Sequence, residues 1–376
     1  MDVVILSEKG ASLDLAVRLK ASGHEVALWI KHKNFAHVGG GMVNVIPVWE
    51  PTKADLYILD SIELTDLEPK LANRGANYIS LLAARQLMQD PSERWSRLTS
   101  VNLPMPPVSL TYLSDVNNPP SEPSLVHFVR PHHSPRVVAP GDWPKVKQTM
   151  PADQEIAVVM IPEGPKFEAI GLVHKGGFVE GSGVLSIGRD GWTFAIPATS
   201  GVLEFLRMLA KKMPPTYAGP LAIQMVLTDL GWVVLEFAAK FVWELMPLLM
   251  RSIKEDALFV LSRLTKGNIF SVTSNNRMVF LQPIVAPESF DSEKRGMVLP
   301  NLQQKLPGIY HPMNVFRAEG FYKFAGTSRF IGSWSFVGST VEDTMRHAAL
   351  SPRARESVEL TIANRLQQLP ASEARN

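Results

Sequence analysis

The stretch that decides the fold runs from Leu221 to Met250 and reads LAIQMVLTDLGWVVLEFAAKFVWELMPLLM. Leu221 to Leu227 and Trp232 to Phe237 are apolar, β-rich runs, and Thr228, Asp229, Leu230 and Gly231 between them have the chemistry of a tight hairpin turn. The second run closes on Glu236, with Lys240 four positions further on. A carboxylate at the end of a buried strand can hold Mg²⁺ and a cation just beyond it can meet phosphate, so the pattern suits a metal–nucleotide site.

Outward from the hairpin, the composition is that of an ordinary globular chain. It has 376 residues, 45% hydrophobic and 20% charged, long enough for two to three domains. A net charge of +2 is too mild to argue by itself for nucleic acid or membrane. The absence of cysteine excludes disulfides, Cys-ligated zinc and a Cys nucleophile. The start, MDVVILSEKG, lacks a basic region and a long apolar run, so no signal peptide is expected, no segment reaches the roughly 18 apolar residues of a membrane helix, and a cytoplasmic location is expected.

Residues 2–6 read as a short buried strand, Ala11 to Ser22 as a helix, and His24 to Ile30 and Asp55 to Leu59 as strands. A helix at 67–73 and a strand at 76–80 continue the alternation, which predicts a doubly wound parallel sheet over residues 1–105. A helical stretch, 83–98, breaks near Pro91 and leads to the extended, Pro-rich 103–108. Residues 106–190 read as a small α+β lobe, with strands at 124–130, 155–161 and 167–174 and a short helix from Asp142. Val202 to Met213 is an amphipathic helix, and 245–264 is helical with a break expected at Pro247. Residues 277–345 are β-rich, with Ser339 expected to cap a helix, and a last helix spans 351–368.

The segment Leu235-Glu236-Phe237-Ala238-Ala239-Lys240-Phe241-Val242-Trp243-Glu244 resembles the last motif of the ATP-grasp ligases, in particular glycinamide ribonucleotide synthetase (phosphoribosylamine–glycine ligase), which reads roughly LEFNxRFGDPETQ. Two further blocks are similar to the same family in order and spacing. They are Asn102-Leu103-Pro104-Met105-Pro106, near the end of the N-terminal domain, and the run from Val315-Phe316-Arg317-Ala318 through Arg329 to Asp343. The resemblance implies an α/β and α+β architecture: an N-terminal doubly wound parallel sheet (1–105), an ATP-grasp central domain (106–276, small lobe about 120–195) and a β-rich C-terminal domain (277–376).

The resemblance also implies an ATP- and Mg²⁺-dependent ligase that activates a carboxylate as an acylphosphate and passes it to an amine, with small-molecule carboxylate and amine substrates. A divergent branch could join an amino acid such as glycine to a nucleotide-like amine or a modified nucleic-acid base. Glu236 is the expected metal ligand, with Glu244 as a second from the following helix and Gln224 facing them from the partner strand. Lys240 and Arg130 are the expected phosphate cations, with Arg136 beside them. Glu163 and Glu168 match the adenine hinge, and Gly176 and Gly177 a Gly-rich loop that brings backbone N–H groups near phosphate, although the same glycines suit a plain hairpin. Lys9, Gly10 and Ser12, ahead of the first helix, would face the acceptor.

Several family letters are replaced. The metal-ligating Asn is Ala238, its Arg is Lys240, the flap lysine and glycines become Val129-Arg130-Pro131-His132-His133-Ser134-Pro135, and Leu59-Asp60-Ser61 stands for a GPE turn. These departures keep open a second reading, a binding or assembly protein that kept the fold and lost catalysis. A nucleic-acid-binding module is a third, for which the sequence offers only scattered basic pairs such as Lys211-Lys212.

Overall fold

A computed structural model describes residues 1–50, 54–128, 133–189, 192–239, 241, 245–266, 268–288, 290, 292–299, 302, 308–346, 348, 350 and 352–370. The first unit contains β1 (Asp2–Ser7), α1 (Leu13–Ala21), β2 (Glu25–Ile30), β3 (Asn44–Ile46), β4 (Leu56–Leu59), α2 (Glu68–Asn73), α3 (Leu82–Gln89) and α4 (Pro91–Ser100). Its strands pair in the order β3-β2-β1-β4, all parallel. Val3 to Leu6 and Leu56 to Leu59 are buried on both faces, as a covered parallel sheet requires. The strand expected at 76–80 contributes a single bridge, Tyr57 to Tyr78.

The small lobe is a second sheet, made by β5 (Val108–Tyr112), β6 (Ser124–Phe128), β7 (His133–Val138) and, after helix α5 (Trp143–Thr149), β8 (Glu155–Met160). Its order is β5-β8-β6-β7, antiparallel throughout. Trp143 and Val146 of α5 cover Val126, Phe128, Ile156 and Val158, which gives this lobe a core of its own.

The remaining elements are β9 (Lys166–His174), β10 (Gly177–Phe178), β11 (Val184–Arg189), β12 (Trp192–Pro197), α6 (Ser200–Ala210), β13 (Ala218–Thr228), β14 (Gly231–Ala238), α7 (Met246–Ser252) and α8 (Ala257–Leu264). They continue with β15 (Met278–Val285), β16 (Ile309–Pro312), β17 (Val315–Ala318), β18 (Phe321–Phe324), β19 (Phe330–Gly338), α9 (Val341–Met345) and α10 (Pro352–Gln367). One nine-stranded sheet runs β14-β13-β9-β11-β12-β15-β19-β16, with β10 paired to β9. Strands β9 to β12 thus pair outside the small-lobe sheet, and β15, β19 and β16 extend the sheet that carries the 221–250 hairpin, while β17 and β18 pair with each other.

Two local readings change. The helical stretch after the hairpin breaks at Ile253 to Asp256 rather than at Pro247, because Pro247 sits in the first turn of α7, where no intrahelical N–H is lost. Thr340, not Ser339, caps α9: its hydroxyl accepts the Asp343 N–H at 3.0 Å, while the Asp343 carboxylate accepts the Ser339 N–H at 3.1 Å.

Candidate functional site

Strand alternation and register build the site. On β9 and β13, Phe167, Ala169, Leu221 and Ile223 point into the core shared with α6, while Ile170, Leu172 and Ala222 point into the core shared with α7. Glu168 and Gln224 fall on the second face. Gln224 stands opposite Glu168 on one side and opposite Glu236 on the other. The next pair on β14 skips a residue, Met225 facing Val234, so Leu235 is a bulge that places Glu236 on this row. Glu168, Gln224 and Glu236 therefore form one line across three neighbouring strands, with roughly 10 Å between the outer backbones. Beside them is a cavity of about 220 Å³ lined by Lys166, Glu168, Ser186, Gln224, Leu235 and Leu245.

Glu236 meets two buried groups from other elements. His127 on β6 brings Nε2 to 3.4 Å from a Glu236 oxygen, and Arg94 on α4 donates Nη2–H to His127 Nδ1 at 3.3 Å. Nδ1 is thus the acceptor, and the ring proton sits on Nε2, toward the carboxylate. Burial, with the Arg94 charge, pushes the imidazole down to about 3. The contact also lacks hydrogen-bond alignment, so a neutral ring lies against Glu236 and the pair is not an ion pair. The countercharge is Arg94, which burial pulls down and Glu236 and Asp90 pull back up. Trp95 packs edge-on to His127 at 4.8 Å. The sequence reading passed over Arg94 and His127. A lone His inside the apolar SLVHF run was the available signal.

Glu163 is exposed in the hinge between β8 and β9 and borders a larger cavity of about 870 Å³, with Met105, Met160, Ile161, Leu230 and Val233 on its walls. Arg136 is exposed on β7, its guanidinium 5.9 Å from the Phe128 ring centre. Gly176 and Gly177 form the turn between β9 and β10, Gly177 pairing with His174. That turn is at the far end of β9 from Glu168, six residues or roughly 20 Å from His174 to Glu168, so the structure does not bring these glycines to the carboxylate row. Lys240, Glu244 and Arg130 lie outside the described residues.

At the end of β1, Gly10 adopts φ +84 and Ser12 is buried ahead of α1. Lys9 pairs with Glu8 at 3.0 Å. The Asp60 carboxylate, at the end of β4, accepts hydrogen bonds from the Ser7 hydroxyl, from Glu8 N–H at 2.9 Å and from the Ser12 hydroxyl at 2.8 Å. Burial pushes Asp60 up to about 6 despite these donors.

Among the described residues no three His, Asp or Glu side chains converge as a metal cage. Mg²⁺ takes one or two carboxylates and completes its shell with water and phosphate oxygens. Glu236 and Glu168 fit that partial role, with phosphate supplying the remainder.

The comparisons fall on this architecture. The fold is that of the ATP-grasp enzymes. Phosphoribosylamine–glycine ligase from Thermotoga maritima is similar over 92% of this chain and 95% of its own, with TM-score 0.68 and 12% identity. An L-amino acid ligase from Bacillus licheniformis matches over 97% of both chains, with TM-score 0.61 and 13% identity. N5-carboxyaminoimidazole synthase from Aspergillus clavatus, solved with ADP and 5-aminoimidazole ribonucleotide, matches over 95% of this chain and 98% of its own, with TM-score 0.63 and 12% identity. No protein-family model and no curated protein matches the sequence. No helix among the described residues is long and apolar enough to cross a membrane.

Proposed function

We propose that the chain is an ATP-dependent ligase joining a carboxylate, of the amino-acid kind, to a nucleotide-like or modified-base amine. The observation that carries this reading is the Glu168–Gln224–Glu236 row beside a cavity in an ATP-grasp fold. In the reaction the donor carboxylate oxygen attacks the γ-phosphorus and ADP leaves. The amine then attacks the acyl carbon, loses a proton and expels phosphate. Glu236, with Glu168, would hold Mg²⁺ against the phosphates. Lys166 in the cavity and Lys240, Arg130 and Arg136 by resemblance are the candidate phosphate cations. Glu163 in the hinge borders the 870 Å³ cavity, taken here as the place of the adenine, and Lys9, Gly10 and Ser12 would face the acceptor.

One observation favours a second reading, a nucleotide-independent binding protein. Glu236 already faces a buried arginine, so its charge also serves packing. Calorimetry with ATP, with and without Mg²⁺, separates the two. The ligase reading expects Mg-dependent binding that weakens at least ~10-fold, about 1.4 kcal/mol, in Glu236→Gln. Absence of binding at millimolar ATP in a folded wild-type chain overturns it.

A further inference from the structure

In an open parallel sheet a small ligand meets the crevice outside the carboxyl ends of the strands where the strand order reverses. Here that point is β1, which has β2 on one side and β4 on the other, and the loop leaving it enters the nine-residue helix α1. Such a loop offers N–H and hydroxyl donors to an anion. In this chain the anion is internal. Asp60 is 4% exposed, and it takes the Ser7 hydroxyl, the Glu8 N–H and the Ser12 hydroxyl together. The Gly10 N–H goes to the Ser7 oxygen at 2.6 Å, so it too is used. Glu8 adds a second carboxylate at the mouth, receiving the Ser61 hydroxyl at 2.7 Å and pairing with Lys9. A phosphate would find these donors engaged and would sit against Asp60, whose like charge repels it across a few ångströms of poorly screened interior. A neutral or cationic group meets neither obstacle.

We infer that Asp60 sets the acceptor class: its carboxylate holds the position of a ligand phosphate in the β1–α1 crevice, so the amine acceptor carries no phosphate there. This rests on the ligase reading and narrows its acceptor from a nucleotide to a base- or nucleoside-like amine.

The test uses the full chain, isotope-labelled, titrated with ribose 5-phosphate and, as control, with ribose, while the amide signals of Glu8, Gly10 and Ser12 are followed. The expected result is no shift in the wild type at millimolar ribose 5-phosphate. Asp60→Ala should then show saturable shifts at these amides, at least ~10-fold tighter than any wild-type response. Asp60→Ser, which returns a small polar group to the buried loop, carries the same expectation should Asp60→Ala fail to fold. Saturable shifts in the wild type overturn the inference, and so do folded variants that stay silent. MgATP binding, measured by calorimetry on the same wild-type sample, tests the ligase reading separately. Its absence would sink that reading while leaving the phosphate result to stand or fall alone.

Discussion

At the scale of single residues, Asp60 carries the clearest electrostatic signature. Burial disfavours its ionised form and holds it at about 6 against an ordinary 3.8. A raised acid pKa gives stability that is full below 3.8 and lost as pH rises through about 6. Asp60→Asn cannot ionise, so relative to wild type it should gain up to ~3 kcal/mol between about pH 4 and about pH 7.5. Denaturant unfolding at both pH values checks this; an equal difference at the two would mean the carboxyl is not strained by burial. Glu236 differs from Asp60 in having a buried cation, Arg94, as its countercharge. Lys166 and Arg94 were invisible as site residues, and His127 was marked only by its place in an apolar run, because nothing in the sequence indicates which side chains turn toward a site shared by several elements.

Secondary-structure elements position these residues, and the hinge between the lobes is packed tightly against the hairpin. Gly164 has φ +142, and a Cβ there would meet Leu227 O at 2.2 Å. The Leu227 N–H donates to Pro165 O at 3.0 Å, which fastens the hinge to the hairpin. Gly164→Ala should therefore cost about 2–3 kcal/mol, through strain and a displaced strand end. A thermal melt would show it, and a midpoint within a degree of wild type would contradict the clash. The hairpin itself was legible from two apolar, β-rich runs around Thr228 to Gly231, and it is realised as β13 and β14. Strands β5, β7, β11 and β12 were missed: β7, β11 and β12 each carry a proline or glycine, and β5 follows directly on the Pro-rich stretch 103–108. The Leu235 bulge is also invisible in sequence. Without it the alternation would place Glu236 on the opposite face.

Across the whole molecule, the N-terminal unit is fixed to the nine-stranded sheet by a buried polar junction. His311 on β16 lies 3.0 Å from Asp14 of α1 through Nδ1 and 2.7 Å from the Ser335 hydroxyl through Nε2, and Arg18 reaches the same ring. Burial raises the Asp14 carboxyl, but its contacts with His311 and Arg18 outweigh it and hold it below its ordinary value, while burial also lowers the His311 imidazole. Backbone bonds from Gly39 N–H to Val315 O at 2.8 Å and from Arg317 N–H to Gly40 O at 2.8 Å continue the seam. His311→Ala removes the partner of two buried groups and should destabilise the chain by about 2–4 kcal/mol. Equilibrium unfolding would reveal it, and a change below ~0.5 kcal/mol would assign the seam to apolar packing alone.

The sequence by itself determined the local pieces: the parallel N-terminal sheet from its β-α alternation, the hairpin from its turn, and the acid at the strand end. These follow from side-chain period and turn chemistry, which act over a few residues. Only the tertiary structure decided which strands share a sheet, because β12 pairs with β15 across some eighty residues and no local pattern encodes that partner. It also decided that Glu168, Gln224 and Glu236 fall in one row, and that Asp60 fills the crevice of its own loop. Register, bulges and buried charge depend on which backbones meet, and that is set by packing of the whole chain.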